Sequence, residues 1–388
     1  MSALLESKRH ARHGRSRALC STSARRHAKV HTGVVEESGH LIGRAEQLLQ
    51  ATRRFAEWRR TIKLRFGWLA PLRIVLYGGY GNGREVLVRG RVLEEQPGPE
   101  PALGDRRLAN FLRAWEQLES DEVPGVQLCL EVGGASADVV TDAEGYFSAT
   151  MALAARPRPG WLPLHARVTQ VPYPTSLLPV ARTELLIPSE QARFGVISDI
   201  DDTILRTHVG NMAKMLYLTL LGNALTRRSF DGTRELYHGL ALAGAGAPFF
   251  YVSKSVWNIF PLLEQFIREQ GLPRGPLLLR KVRLLRDRTL PEHKPGAITH
   301  LLETYPRLSF VLVGDSGEHD LEIYLEIARQ HPGRIGTILI RNVSSPERAD
   351  ALRRITQRQA PPGCSVLLFD DTQQAIRHCR NLELWREG

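Results

Sequence analysis

The sequence predicts an α/β domain of buried parallel strands over residues 189–388, preceded by a β-sandwich-like segment at 73–188 and a basic amino-terminal region. Three observations predict it. Apolar runs able to form buried strands (Phe194–Ile197, Ala247–Val252, Phe310–Val313) each stop abruptly in polar residues. Helical spacing appears between such runs, as at Ala297, Ile298, Leu301 and Leu302. Upstream, the text changes to short strand-like runs punctuated by Gly, Pro and Asp. At 388 residues the chain is long enough for two or three domains with real cores.

Taken in order, residues 1–44 are rich in Arg, His and Ser without sustained apolar periodicity, and read as a disordered basic tail. Their composition fits an organelle transit peptide and equally an over-extended start or a bacterial tail, and they lack the apolar core of a secretory signal. Residues 1–73 hold 16 Lys and Arg against 5 Asp and Glu, which accounts for the whole formal charge of +11. Residues 45–72 read as a basic amphipathic helix, with Leu48, Leu49, Phe55, Trp58, Ile62, Phe66 and Leu69 set against Arg53, Arg54, Arg59, Arg60, Lys63 and Arg65. Such a helix suits an anionic membrane surface, and equally a packing role with solvated arginines. A nucleic-acid arm is less favoured, because no recognition pattern accompanies the charge. Over 73–188, strands are expected at 74–77, 86–93, 126–132, 146–153 and 164–169, with a helix around Leu108–Leu118. Residues 139–147 read as a hairpin-like turn of the kind found in small β-sandwich modules, and the boundary to the next domain falls near Ile187–Glu190.

The chemistry is concentrated at strand ends. The run Phe194–Ile197 leads, through Ser198, into Asp199, Asp201, Asp202 and Thr203. In an extended segment Asp199 and Asp201 face one space while Ile200 points back. Clustered carboxylates repel unless a cation sits between them, so this segment suits Mg2+ and a carboxylate that attacks phosphorus. Thr203 adds a hydroxyl for a substrate oxygen. A second run, Ala247–Val252, ends in Ser253, whose hydroxyl could hold a phosphate oxygen. Lys294, at the entry of a helical pattern, can neutralise a phosphoryl group. Asp315 follows the third run and is placed to complete an oxygen-ligand site, with Asp320 supporting it or orienting Lys294. Arg341, after the run 336–340, is a phosphate or headgroup contact or else a surface salt bridge.

This order of residues (D-x-D-x-T, a strand ending in Ser, Lys, then G-D-x-x-x-x-D) resembles the haloacid-dehalogenase-like phosphatases. The flanking text (Tyr251–Asn258, Gly271–Arg280, His293-Lys294, Gly314–Gly317 and Ile340–Val343) further resembles the actin-patch type phosphatidate phosphatase catalytic-domain family. The likeness covers roughly residues 194–380. Lys254 and Val256 depart from that family's pattern, where a small polar residue and Pro are expected. The resemblance implies a doubly wound parallel sheet, with Asp199 as nucleophile forming an aspartyl-phosphate and Asp201 as general acid and base. It implies that Ser253 and Lys294 bind phosphoryl oxygens, and that Asp199, the main-chain carbonyl of Asp201 and Asp315 hold Mg2+.

Only about fifty residues separate Thr203 from Ser253, reading as helices at 212–225 and 233–243, too few for a large lid. An open site suits a bulky or surface-bound ester. The basic run Arg280–Arg288 meets anionic headgroups or is a solvated loop. Cys20, Cys129, Cys364 and Cys379 form no metal-ligand or CxxC spacing, so a reducing cytoplasm is expected. No apolar stretch reaches about eighteen residues. The expected function is Mg2+-dependent hydrolysis of phosphatidate to diacylglycerol by a cytoplasmic enzyme, peripheral on membranes. One alternative keeps the chemistry and changes the ester to a soluble, protein or nucleic-acid phosphate. Another is a membrane- or nucleic-acid-binding protein without catalysis.

Overall fold

Alternation of apolar residues with glycine, polar residues and tight turns builds the first half of the molecule as strands. The computed structural model describes residues 71–94, 123–173, 177–200, 231–281, 293–317 and 319–387. The basic tail, the helices expected at 45–72, 108–118 and 212–225, the stretch 201–230 with Asp201, Asp202 and Thr203, and residues 282–288 of the basic run lie outside these residues, save that Leu72 already opens a strand.

Seven strands, β1 (Leu72–Gly81), β2 (Glu85–Glu94), β3 (Gln127–Val132), β4 (Ala135–Val140), β5 (Tyr146–Ala152), β6 (Gly160–Gln170) and β7 (Val180–Ile187), form one sheet in the order β4-β3-β6-β7-β1-β2-β5. All neighbours are antiparallel except β1 and β7. The edge strands β4 and β5 touch, so the sheet rolls over a single apolar filling that includes Val86, Val88, Leu128, Leu130, Phe147, Leu164 and Leu185. The double-layered form arises from rolling, where the sequence suggested two facing sheets.

Residues 139–147 are not a hairpin. Val139 and Val140 finish β4, which pairs with β3, and the turn then crosses the seam to β5. Asp142 holds that turn: its Oδ1 accepts the amides of Glu144 at 3.0 Å and Tyr146 at 2.9 Å. Gly145 supplies the positive φ of 75° that a side chain resists.

The second half is a six-stranded parallel sheet in the order β10-β9-β8-β11-β12-β13. Its strands are β8 (Gly195–Asp199), β9 (Phe249–Val256), β10 (Leu277–Arg280), β11 (Phe310–Asp315), β12 (Ile335–Arg341) and β13 (Ser365–Phe369). Every pairing is parallel. The helices described are α1 (Thr233–Ala243), α2 (Phe260–Glu269), α3 (His293–Thr304), α4 (Asp320–Gln330), α5 (Pro346–Gln359) and α6 (Thr372–Asn381). Buried strands feed two cores by alternation. Val196, Phe249, Val311 and Leu339 pack with α1, α2 and α6 on one face; Ile197, Phe250, Leu312 and Ile340 pack with α3, α4 and α5 on the other. Strand order reverses between β8 and β11, and parallel α/β sheets bind ligands outside the carboxyl ends at such a point.

The rolled sheet shares both of those cores. Tyr77 of β1 stacks on Trp257 at 4.4 Å, in the 3-10 turn after β9, and meets Phe260 edge-on at 5.0 Å. Tyr80 packs edge-on against Phe250 at 5.7 Å. Around the Asp142 turn, Tyr146 OH donates to Asn258 Oδ1 at 3.3 Å, and Lys281, just past β10, pairs with Asp142 at 2.7 Å. No helix among the described residues is long and apolar enough to cross a membrane.

Candidate active site

The carboxyl edge of the parallel sheet gathers the charged residues. All five residues of β8 are buried, ending in Asp199. Ser198 fixes this end: its Oγ lies 2.7 Å from both the Asp199 carbonyl and the Tyr237 hydroxyl of α1. Burial, chiefly, pushes the Tyr237 phenol well above its ordinary range, so it stays protonated.

Lys294 enters from the first turn of α3, fully buried, with Nζ 2.9 Å from Asp199 Oδ1 and in contact with Asp320 Oδ1. Asp320 opens α4, and its Oδ2 accepts the Asp315 amide at 3.3 Å. Asp315 ends β11, and its Oδ1 accepts the Gly317 amide at 2.6 Å. Gly314 makes this approach feasible, because a Cβ there would lie 2.5 Å from Asp320 Oδ2. The neighbouring His293, with Nε2 3.2 Å from the Leu278 carbonyl, is held below its usual pKa, mainly by burial. Tyr324 of α4 is pushed well above the phenol range, first by burial and next by the Asp320 charge, and its OH donates to the Val313 carbonyl at 3.3 Å.

One oxygen from each of Asp199, Asp315 and Asp320 falls within a 4.8 Å group, and all three residues are buried. Three buried carboxylates are costly beside a single ammonium. Their hard, all-oxygen donor set suits a divalent cation of the Mg2+ or Ca2+ kind. Together these groups offer oxygen donors for a cation and, in Lys294, an ammonium that can meet an anion.

Ser253 lies on β9, one residue beyond Val252, which is the register partner of Asp199; its buried Oγ accepts the Ser255 amide at 2.9 Å. Asp199, Ser253, Lys294, Asp315 and Asp320 are thus brought to one edge, while Asp201 and Thr203 fall outside the described residues. Arg341 is buried at the end of β12 beside Asp315. Its Nη2 donates to Thr233 Oγ1 at 3.2 Å and Thr372 Oγ1 at 3.1 Å, and its guanidinium lies over Phe369. It ties the first turns of α1 and α6 to the sheet, so a surface salt bridge is not its setting. Sequence reading missed the Ser198–Tyr237 clamp, whose signal was only a Ser beside the key Asp.

Residues 194–342 match the family model of the phosphatidate phosphatase APP1 catalytic domain. The family resemblance read from the motifs is therefore shown for this segment, which contains Asp199, Ser253, Lys294, Asp315, Asp320 and Arg341. Phosphatidate phosphatase APP1 of Saccharomyces cerevisiae is 37% identical over 155 residues, covering 39% of this chain and 26% of that protein. An uncharacterized protein of Schizosaccharomyces pombe is 30% identical over 154 residues, covering 39% of this chain and 25% of its own length. The chain thus spans about a quarter of the length of the curated relatives it matches. A solved carbohydrate acetylesterase from Xanthomonas citri aligns over 77% of this chain and 69% of its own at 10% identity, with a TM-score of 0.33.

Proposed function

We propose that the protein is a phosphate monoester hydrolase of haloacid-dehalogenase-like type, acting on phosphatidate at a membrane surface. The observation that carries this reading is the buried Asp199–Lys294–Asp320 chain beside Asp315, at the strand-order reversal of the segment matched to the phosphatase family. Asp199 attacks phosphorus with one carboxylate oxygen. The bond from phosphorus to the leaving alcohol breaks, and Asp201 gives that alcohol its proton. Asp201 then takes a proton from water, whose oxygen displaces Asp199 and releases inorganic phosphate. Lys294 pairs with the attacking carboxylate and offsets phosphoryl charge, while Asp320 aims Lys294. Ser253 donates to a phosphoryl oxygen. Asp199 and Asp315, with Asp320 adjoining, would hold Mg2+, which when bound neutralises charge on the transferred group. Diacylglycerol and phosphate are the products.

The test is phosphate release from phosphatidate vesicles with Mg2+. Asp199→Asn should remove turnover, by at least about 1,000-fold given the loss of the nucleophile. Chelation should do the same reversibly. Wild-type release no faster than the variant's would sink the reading. Soluble monoesters, phosphopeptides and terminal nucleotide phosphates assayed alongside identify the ester if phosphatidate is not it.

A further inference from the structure

Large apolar side chains left in water are gathered on one side of the molecule. Among the described residues seven are exposed, and five of them, Val140, Leu177, Leu178, Val180 and Val343, fall on the side of the carboxyl edge. The other two, Leu242 and Leu382, stand at the far ends of α1 and α6. Arg341 ties the first turns of those helices to the carboxyl edge, so their far ends lie on the opposite side.

Strand direction and contacts place the five. Tyr80 of β1 packs on Phe250, the second residue of β9, whereas Tyr77, three residues earlier, stacks on Trp257, just past the end of β9. Traced backward, β1 therefore runs toward the carboxyl edge. β7 is parallel to it, paired at Tyr80 and Leu186. Its first residue, Val180, is six before Leu186 and so lies about 20 Å out the same way. Leu177 and Leu178 lie just before it, where the Pro179 carbonyl accepts the Val168 amide at 3.0 Å and holds the chain to β6. Val140 stands two residues before Asp142, which pairs with Lys281 just past β10. The Val343 amide donates to Ser316 Oγ at 2.8 Å, next to Asp315.

Val180 is 71% exposed, Leu177 67% and Val140 59%. Single exposed apolar residues are ordinary, but packing does not explain their concentration on the side that holds the carboxylates. They project from strand ends and the connections beside them, as separate points that a yielding surface can accept one by one. Cationic side chains accompany them. Exposed Arg167 is the register partner of Val180, Arg182 follows two residues on, and Arg73 is exposed near the start of β1.

We propose that this side of the molecule docks on an anionic lipid bilayer. Leu177, Leu178 and Val180 enter the boundary between headgroups and acyl chains, and the neighbouring arginines meet lipid phosphates. The choice of a bilayer over a protein face rests on the phosphatidate reading above. A carboxyl edge turned to the bilayer receives a headgroup whose acyl chains stay in the membrane.

The experiment uses the full chain and vesicles of phosphatidylcholine containing phosphatidate, with chelator present so that binding is measured without turnover. Leu177→Ser/Leu178→Ser/Val180→Thr should lower the vesicle partition coefficient by at least about tenfold with Tm unchanged, since it removes three apolar contacts from exposed positions. Leu178→Trp should raise the coefficient, because an indole favours the membrane interface. With Mg2+, kcat/KM of the triple variant on vesicle phosphatidate should fall in step with binding. On monomeric dihexanoyl phosphatidate it should stay within about twofold of wild type. Wild type that ignores the vesicles, or an equal loss on the monomeric ester, would overturn the assignment. A triple variant that binds as wild type does would return the lipid contact to the basic residues 1–73 and overturn it as well. Wild type that binds vesicles through these residues yet releases no phosphate from either form of phosphatidate removes the phosphatidate reading, while the docking surface stands on its own binding data.

Discussion

Lys294 is the side chain on which the charge balance of the site turns. Its ammonium is fully buried between Asp199 and Asp320, so removing it takes from two buried carboxylates the ammonium that contacts both. Breaking one partner out of a buried ion pair typically costs about 3–5 kcal/mol. Lys294→Met should therefore lower stability by about that much in chelator-treated protein, measured by urea unfolding. A variant as stable as wild type would mean that the ion pairs of Lys294 do not support the fold. At this scale much was legible. Asp199 and Asp315 each end a strand and Lys294 lies in the first turn of a helix, placements visible where an apolar run stops in a polar residue, whereas the strand expected to end at Ser253 runs on to Val256. Arg341 was ambiguous because its threonine partners lie 108 and 31 residues away in sequence.

Among the elements, β1 and the turn after β9 are joined by rings. Tyr77 stacks on Trp257 and meets Phe260, four and seven residues beyond Ser253. Truncating a buried aromatic costs about 3–5 kcal/mol, so Tyr77→Ala should destabilise by that order, while Tyr77→Phe keeps the ring contacts and should cost less than about 1.5 kcal/mol. Thermal or urea unfolding separates the two, and equal losses would place the effect in the hydroxyl and not in stacking. Strand prediction succeeded where alternation or a continuous apolar run was clean, as in β2, β3, β8, β9 and β11. It failed for β7, because Arg182, Thr183 and Glu184 interrupt the pattern and only Leu185, Leu186 and Ile187 are fully buried. β6 runs longer than expected at both ends, with Pro163 masking its early part. The turn at Asp142 was legible as a turn. Its crossing from one edge of the sheet to the other was not, because strand partners are chosen at long range.

For the whole molecule, three histidines point the same way with pH. Burial is the leading cause that lowers the pKa of His293, His300 and His378 below the ordinary value near 6.5. Each therefore takes up a proton more readily in the unfolded chain. Their contribution is fully present above about pH 6.5 and is lost as pH falls through the lowered folded values. Tm should decline between about pH 7 and 5, and His293→Asn should flatten that decline. A slope unchanged by the substitution would assign the decline to other groups.

The sequence-level seam near Ile187–Glu190 marks where strand pairing changes partners, yet packing ignores it. Tyr77, Tyr80, Tyr146 and Leu186 belong to the same apolar interiors as Trp257, Phe260, Phe250 and Tyr305. A gene trimmed to the α/β half would leave those aromatic faces wet, next to the rim that carries Ser253. The leading module is thus a wall of the α/β half and not a detachable passenger.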